Sequence, residues 1–153
     1  MKELLYLKDE QLKEFIEKIS MSYRETFSDA KKVLNKYSIG VAHHKVINLI
    51  SLYDGITISE LLKKLKITKQ SLNRFLKDLI KLDVVNFEKG KKDTRLKHVY
   101  LNDKGKKLYN DVFDIQKKRI YNALHSSRSQ EVININNVSI KPEKDCINLF
   151  SYN

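Results

Sequence analysis

Two clusters of polar and basic side chains carry the chemistry this chain could do. The first runs Thr68-Lys69-Gln70-Ser71-Leu72-Asn73-Arg74; the second holds Lys89, Lys91, Lys92, Asp93 and Arg95. Amides, hydroxyls and guanidinium groups at such spacing pair with the edges of bases and with phosphate oxygens. Catalytic chemistry has no comparable support. No Gly-rich phosphate loop occurs, no Ser/His/Asp set is suggested, and four glycines leave few tight turns. His43-His44 invites a metal reading, but adjacent residues diverge by about 100° on a helix, and neither a carboxylate nor a third histidine follows at i+3 or i+4. No metal and no cofactor are expected. The lone Cys146 excludes an internal disulfide and a Cys-rich zinc module, and reads as an ordinary tail thiol.

The distribution of charge supports a polyanionic partner. The chain carries a net +11, with 25 lysines and only five arginines, a bias that an AT-rich genome alone could produce. Such a bias would spread lysine evenly. Instead, residues 63–107 hold 15 Lys/Arg against five Asp/Glu, whereas the remaining residues hold 15 against 14. Concentrated positive charge is the footprint of a nucleic-acid-binding face.

The elements that must position these clusters follow from periodicity. From Asp9, a plausible N-cap, apolar residues recur every three or four positions at Leu12, Ile16, Ile19, Tyr23, Phe27, Ala30, Leu34 and Tyr37, up to a stop or turn at Gly40. That stripe is too long for a small domain to bury alone, so its far end is expected against a second copy. A compact helix over 42–53 closes at Asp54-Gly55. Thr57-x-x-Glu60 has capping-box spacing for a helix carrying Leu61, Leu62 and Leu65; Lys66-Ile67 forms the turn, and Thr68 caps a third helix burying Leu72, Phe75, Leu76, Leu79 and Leu82. After Asp83 the period changes: Val84, Val85 and Phe87 read as a strand, 88–93 as a loop, and 96–101 as the returning strand. Asp103 is expected to cap a long helix with two apolar stripes, Leu108/Val112/Ile115 and Tyr109/Phe113/Ile120/Leu124. Beyond Ser126 the pattern suits a short helix ended by Pro142 slightly better than a strand. The expected fold is therefore mainly α: a winged helix-turn-helix with a two-stranded β wing and long N- and C-terminal dimerisation helices. Residues 1–39, 40–102 and 103–153 would serve as N-terminal dimerisation helix, DNA-binding region and C-terminal dimerisation helices.

Residues 40–105 resemble the MarR family of bacterial regulators. The wing signature of that family, Asp-x-Arg, five residues, then Leu-Thr-x-x-Gly, is matched by Asp93-Thr94-Arg95 and Leu101-Asn102-Asp103-Lys104-Gly105, with Asn102 in place of threonine. The segment from Ile58-Ser59-Glu60-Leu61 to Arg74 matches the family's two-helix reading head. The resemblance implies that the helix over 68–82 reads a major groove, that Arg95 enters the minor groove, and that Asp93 orients it or a neighbouring arginine. It implies an effector cleft lined by Tyr23, His43 and His44. Two departures stand out: Asp83 occupies a position where glycine is common, and the tail after Ser126 matches loosely.

Three functions remain open at this level: a homodimeric, sequence-specific regulator of double-stranded DNA, a winged-helix module for acidic proteins, and a nonspecific architectural DNA binder. The opening Met1-Lys2-Glu3-Leu4-Leu5 carries charges of both signs and lacks a signal-peptide core, and the longest uncharged apolar stretch, Val46 to Tyr53, is far below the roughly 18 residues of a membrane span. A cytoplasmic protein with no membrane partner is expected.

Overall fold

The computed structural model describes residues 8–90, 93 and 95–125. Helix α1 spans Asp9–Leu34, α2 Val41–Leu52, α3 Ile58–Leu65, α4 Lys69–Lys81 and α5 Asp103–His125; strands β1 Ile56–Thr57, β2 Val85–Lys89 and β3 Lys97–Leu101 form one antiparallel sheet in the order β1-β3-β2. The described residues up to Lys118 belong to one compact unit and those from Arg119 to a second. The expected tail helix, Cys146, and the wing residues Lys91, Lys92 and Thr94 lie outside the described residues.

The core forms where the helical stripes converge. Ala30, Val33 and Leu34 of α1 meet Val46, Ile47 and Ile50 of α2, Leu61 of α3, Leu72, Leu76 and Leu79 of α4, Val99 and Leu101 of β3, and Leu108 and Val112 of α5. The rest of α1 is different: from Leu12 to Tyr23 its large apolar side chains remain 41–66% exposed.

The caps and turns refine several sequence expectations. The Thr57–Glu60 capping box forms, with Thr57 Oγ1 accepting the Glu60 N–H at 3.2 Å and the Glu60 carboxylate accepting the Thr57 N–H at 2.8 Å. The Thr57 N–H, together with the Thr57 hydroxyl that also donates to the Glu60 carboxylate at 2.8 Å, holds that carboxyl below the usual carboxylate range. Asp9 is not the N-cap of α1. That position is Lys8, whose N–H donates to Gln11 Oε1 at 2.9 Å, and Asp9 lies in the first turn, where its charge complements the helix dipole. Gly40 is the N-cap of α2, and the stripe breaks earlier, through a 3₁₀ turn at Asn35–Tyr37 and a left-handed Ser38. The wing hairpin gains a third strand because Ile56 and Thr57 pair with Val99 and His98; two residues are too few to announce a strand by alternation.

The joint between α4, β2 and α5 differs most from expectation. Asp83 adopts φ +56°, the left-handed conformation that glycine adopts without strain. Its carbonyl accepts from Asn102 Nδ2 at 2.8 Å, and Asn102 Oδ1 in turn accepts the Gly105 N–H at 3.0 Å. Asn102, rather than Asp103, therefore caps α5: only its side chain, one residue outside the helix, reaches back to the third helical N–H. Gly105 makes the close approach possible, since a Cβ there would overlap the Val84 carbonyl oxygen. Gly105→Ala is expected to cost about 1–3 kcal/mol of stability through this overlap. Gly40→Ser, at a cap with nothing within 4 Å of the added Cβ, should change stability by no more than a few tenths. Urea midpoints check the pair; an unchanged midpoint for Gly105→Ala would contradict the tight joint.

Candidate nucleic-acid interface

Helix α4 presents its reading face because its two sides differ chemically. Leu72, Leu76 and Leu79 point into the core, while Lys69, Gln70, Asn73, Arg74 and Lys77 stay exposed. Thr68 fixes where the helix starts: Oγ1 accepts the Ser71 N–H at 3.1 Å and donates to Ser71 Oγ at 2.9 Å. The first turn carries no acidic residue, so its amide dipoles face solvent uncompensated, which favours an anion. Lys69, Gln70, Ser71, Asn73, Arg74 and Lys77 line one open groove. Lys77 was not among the residues singled out from the sequence. Its spacing, four residues after Asn73 and three after Arg74, was the available signal.

Asp93 organises the described part of the wing tip. Its carboxylate accepts the Arg95 backbone N–H at 2.9 Å, and its carbonyl accepts the Leu96 N–H at 3.1 Å. Asp93 thus acts on the backbone beside Arg95, and Arg95 is exposed. At the wing's base, His98 Nδ1 donates to the Gly55 carbonyl at 2.7 Å, tying β3 to the turn after α2.

Of the three residues considered for an effector cleft, Tyr23 lies on α1, while His43 and His44 leave α2 toward different helices. His43 turns toward α4. Its Nδ1 accepts the Gly40 N–H at 3.2 Å, which leaves the proton on Nε2 to donate to Asp78 Oδ2 at 3.1 Å. Its ring meets Phe75 edge-on at 5.0 Å, and the Arg74 guanidinium lies 5.4 Å from the Phe75 ring. His44 turns toward α1, 5.7 Å from Phe27, whose ring lies 4.5 Å from Tyr23. His44 is 3% exposed, and its Nδ1 has no hydrogen-bond partner. Lys45 Nζ approaches Tyr23 at 5.4 Å and Phe27 at 5.9 Å. Among the described residues, no group of three or more His, Cys, Asp or Glu is placed to hold a metal, and no helix is long and apolar enough to cross a membrane.

A capped two-helix reading head backed by a three-stranded wing defines a winged helix-turn-helix DNA-binding protein. No protein-family model matches the chain. Over 129 residues it is 36% identical to the HTH-type transcriptional regulator PetP of Rhodobacter capsulatus, across 84% of this chain and 78% of that protein. A MarR transcriptional regulator from Methanosarcina mazei shares the fold at TM-score 0.66 and 30% identity, with 81% of this chain and 90% of that one covered. Staphylococcus aureus MarR, solved in complex with salicylate and kanamycin, matches at TM-score 0.66 and 27% identity over 84% and 89% of the two chains. The chain belongs to the MarR family of HTH-type transcriptional regulators and is a DNA-binding regulator of transcription.

Burial sets the charge state of His44. Desolvation pushes its pKa below the ordinary 6.5, against a smaller upward pull from a hydrogen bond with the Gln116 side chain. As pH falls the unfolded chain therefore takes up this proton first. The contribution from neutral His44 is present above pH 6.5 and is lost as pH falls from there toward the depressed folded value. His44→Asn removes this titration, so its urea midpoint should fall less than the wild type's between about pH 7 and pH 5. Parallel curves would contradict the assignment.

Proposed function

We propose that the protein acts as a homodimer on a pseudo-palindromic operator, with one α4 in each of two major grooves about one helical turn apart. The observation that carries this reading is the exposed apolar face of α1: Leu12, Phe15, Ile16, Ile19 and Tyr23 are each at least 41% exposed. On one helix of a chain with its own complete core, such a face suits an isologous contact with a second copy. Phe113 of α5, 43% exposed and stacked on Tyr109 at 5.9 Å, offers further apolar surface for the same contact. Two-fold pairing turns a single reading head into a pair, and the operator then acquires the same symmetry.

Within each half-site, Lys69, Gln70, Ser71, Asn73 and Arg74 read base edges and phosphates, with Thr68 setting their register. Lys89, Lys91, Lys92 and Arg95 extend contact to the adjacent minor groove and backbone, with Asp93 bracing the loop. Relief by a small molecule fits the aromatic surface of Tyr23 and Phe27 beside buried His44, with Lys45 as a cation suited to an aromatic acid. The salicylate complex of the Staphylococcus aureus relative supports that chemistry. His43, bonded to Asp78 of α4, would pass a shift of α2 to the reading helix rather than touch the effector.

Selection of bound sequences from random DNA, followed by footprinting, tests the reading. A symmetric site with two protected half-sites is expected, with affinity falling steeply as salt rises. A one-sided footprint or a flat salt response would contradict it. On the selected site, Arg95→Ala should weaken binding and relax preference for A·T pairs at the outer edges, because a flat guanidinium suits a narrow minor groove. Lys69→Ala should weaken binding to all sequences and shallow the salt slope by about one unit. Equal losses for both variants on every sequence would make the wing a phosphate clamp.

A further inference from the structure

Beside the reading face lies a second groove, of about 250 Å³, between the later half of α4 and the wing; Asn73, Lys77, Ile80, Phe87 and Lys97 line it. Its floor is apolar and open to solvent, with Ile80 50% and Phe87 37% exposed. Its flanks are basic, and no acid is among its lining residues. Asn73 and Lys77 line this groove and the reading groove alike, so the two surfaces are continuous.

The strand register adds an independent observation. Lys89 pairs directly with Lys97, and Phe87 with Val99, across the antiparallel hairpin. Paired residues share a sheet face, as do residues two apart along a strand, so both lysines stand on the face that carries Phe87. Like charges opposite one another destabilise a free hairpin. A polyanion lying across them reverses that sign.

We propose that this groove seats one sugar–phosphate strand of bound DNA as it passes from the major groove read by α4 to the minor groove beside the wing. This rests on the DNA-reading role proposed above and extends it to residues outside the reading cluster. Lys77 on one side and Lys97, with Lys89, on the other take the phosphates. Ile80 and Phe87 take the deoxyribose, whose hydrocarbon edge covers them. An acidic protein would answer the lysines equally well. Continuity with the reading groove and the apolar floor set between the charges match the alternation of phosphate and sugar along a DNA strand.

The test uses a duplex recovered by selection, binding measured by anisotropy over a range of salt, and hydroxyl-radical footprinting, which reports access to the sugar. Lys97→Ala should shallow the salt slope by about one unit. Ile80→Ser, on an exposed helix face, should lower affinity several-fold at unchanged slope and restore cleavage at the sugars between the two groove contacts. Phe87→Leu, which keeps the strand apolar, should do the same more weakly, and thermal melts separate these effects from unfolding. Wild-type affinity, slope and footprint in both Lys97→Ala and Ile80→Ser would overturn the seat while leaving the reading helix intact, and would assign the groove to a protein partner or to none. A wild-type chain from which selection recovers no duplex would overturn both this proposal and the reading beneath it.

Discussion

At the joint after α4 the backbone must reverse through a left-handed Asp83, and three elements meet within a few residues. Asn102 closes the reversal from both ends of its amide, donating to the Asp83 carbonyl and accepting the N–H of Gly105, while its own N–H donates to the Val84 carbonyl at 3.3 Å. Lys104 also bonds the Asp83 carboxylate at 2.8 Å, but both side chains are 68% exposed, so that pair contributes little against solvent. The geometry rests on the asparagine amide and on the missing Cβ of Gly105. The end of the reading helix, the start of the wing and the start of α5 cannot move independently of this joint.

A second link works from the opposite side. His43 bonds α2 to Asp78 of α4 and meets Phe75 edge-on, and Phe75 in turn lies beside Arg74. Its neighbour His44 faces α1, where burial pushes its pKa down. Adjacent residues on one helix turn, His43 and His44, thus face the reading helix and the long N-terminal helix respectively. In a tightly packed interior, a displacement at one is felt at the other. This is a physical route by which an effector near α1 would alter the reading face.

Much of this was legible before the structure. Thr57, Glu60 and Thr68 announced their helix starts because capping chemistry is local, and the α4 leucines announced their buried face because helical periodicity is strong over 13 residues. The exposed end of α1 was readable as a stripe longer than its domain. The joint was less legible. Asn102 and Asp103 are both competent caps, and only the Asp83 carbonyl, 19 residues away, decides between them. Strand β1 was too short for its alternation to register, and the His43–Asp78 bond spans 35 residues. Pairing Lys89 with Lys97 required the register of the hairpin, which no local pattern supplies.

The central claim is that a second copy covers the open apolar face of α1 and so makes one reading head into two. Sedimentation equilibrium at micromolar concentration, on the wild type and on Ile16→Glu, tests it most directly. Ile16 is 66% exposed, so the charge costs the isolated fold little but would be buried without a partner in a dimer. The account predicts a wild-type mass twice the 18.0 kDa of the chain, and a shift toward folded monomer in the variant. A wild-type chain that sediments as a stable, folded monomer would contradict it.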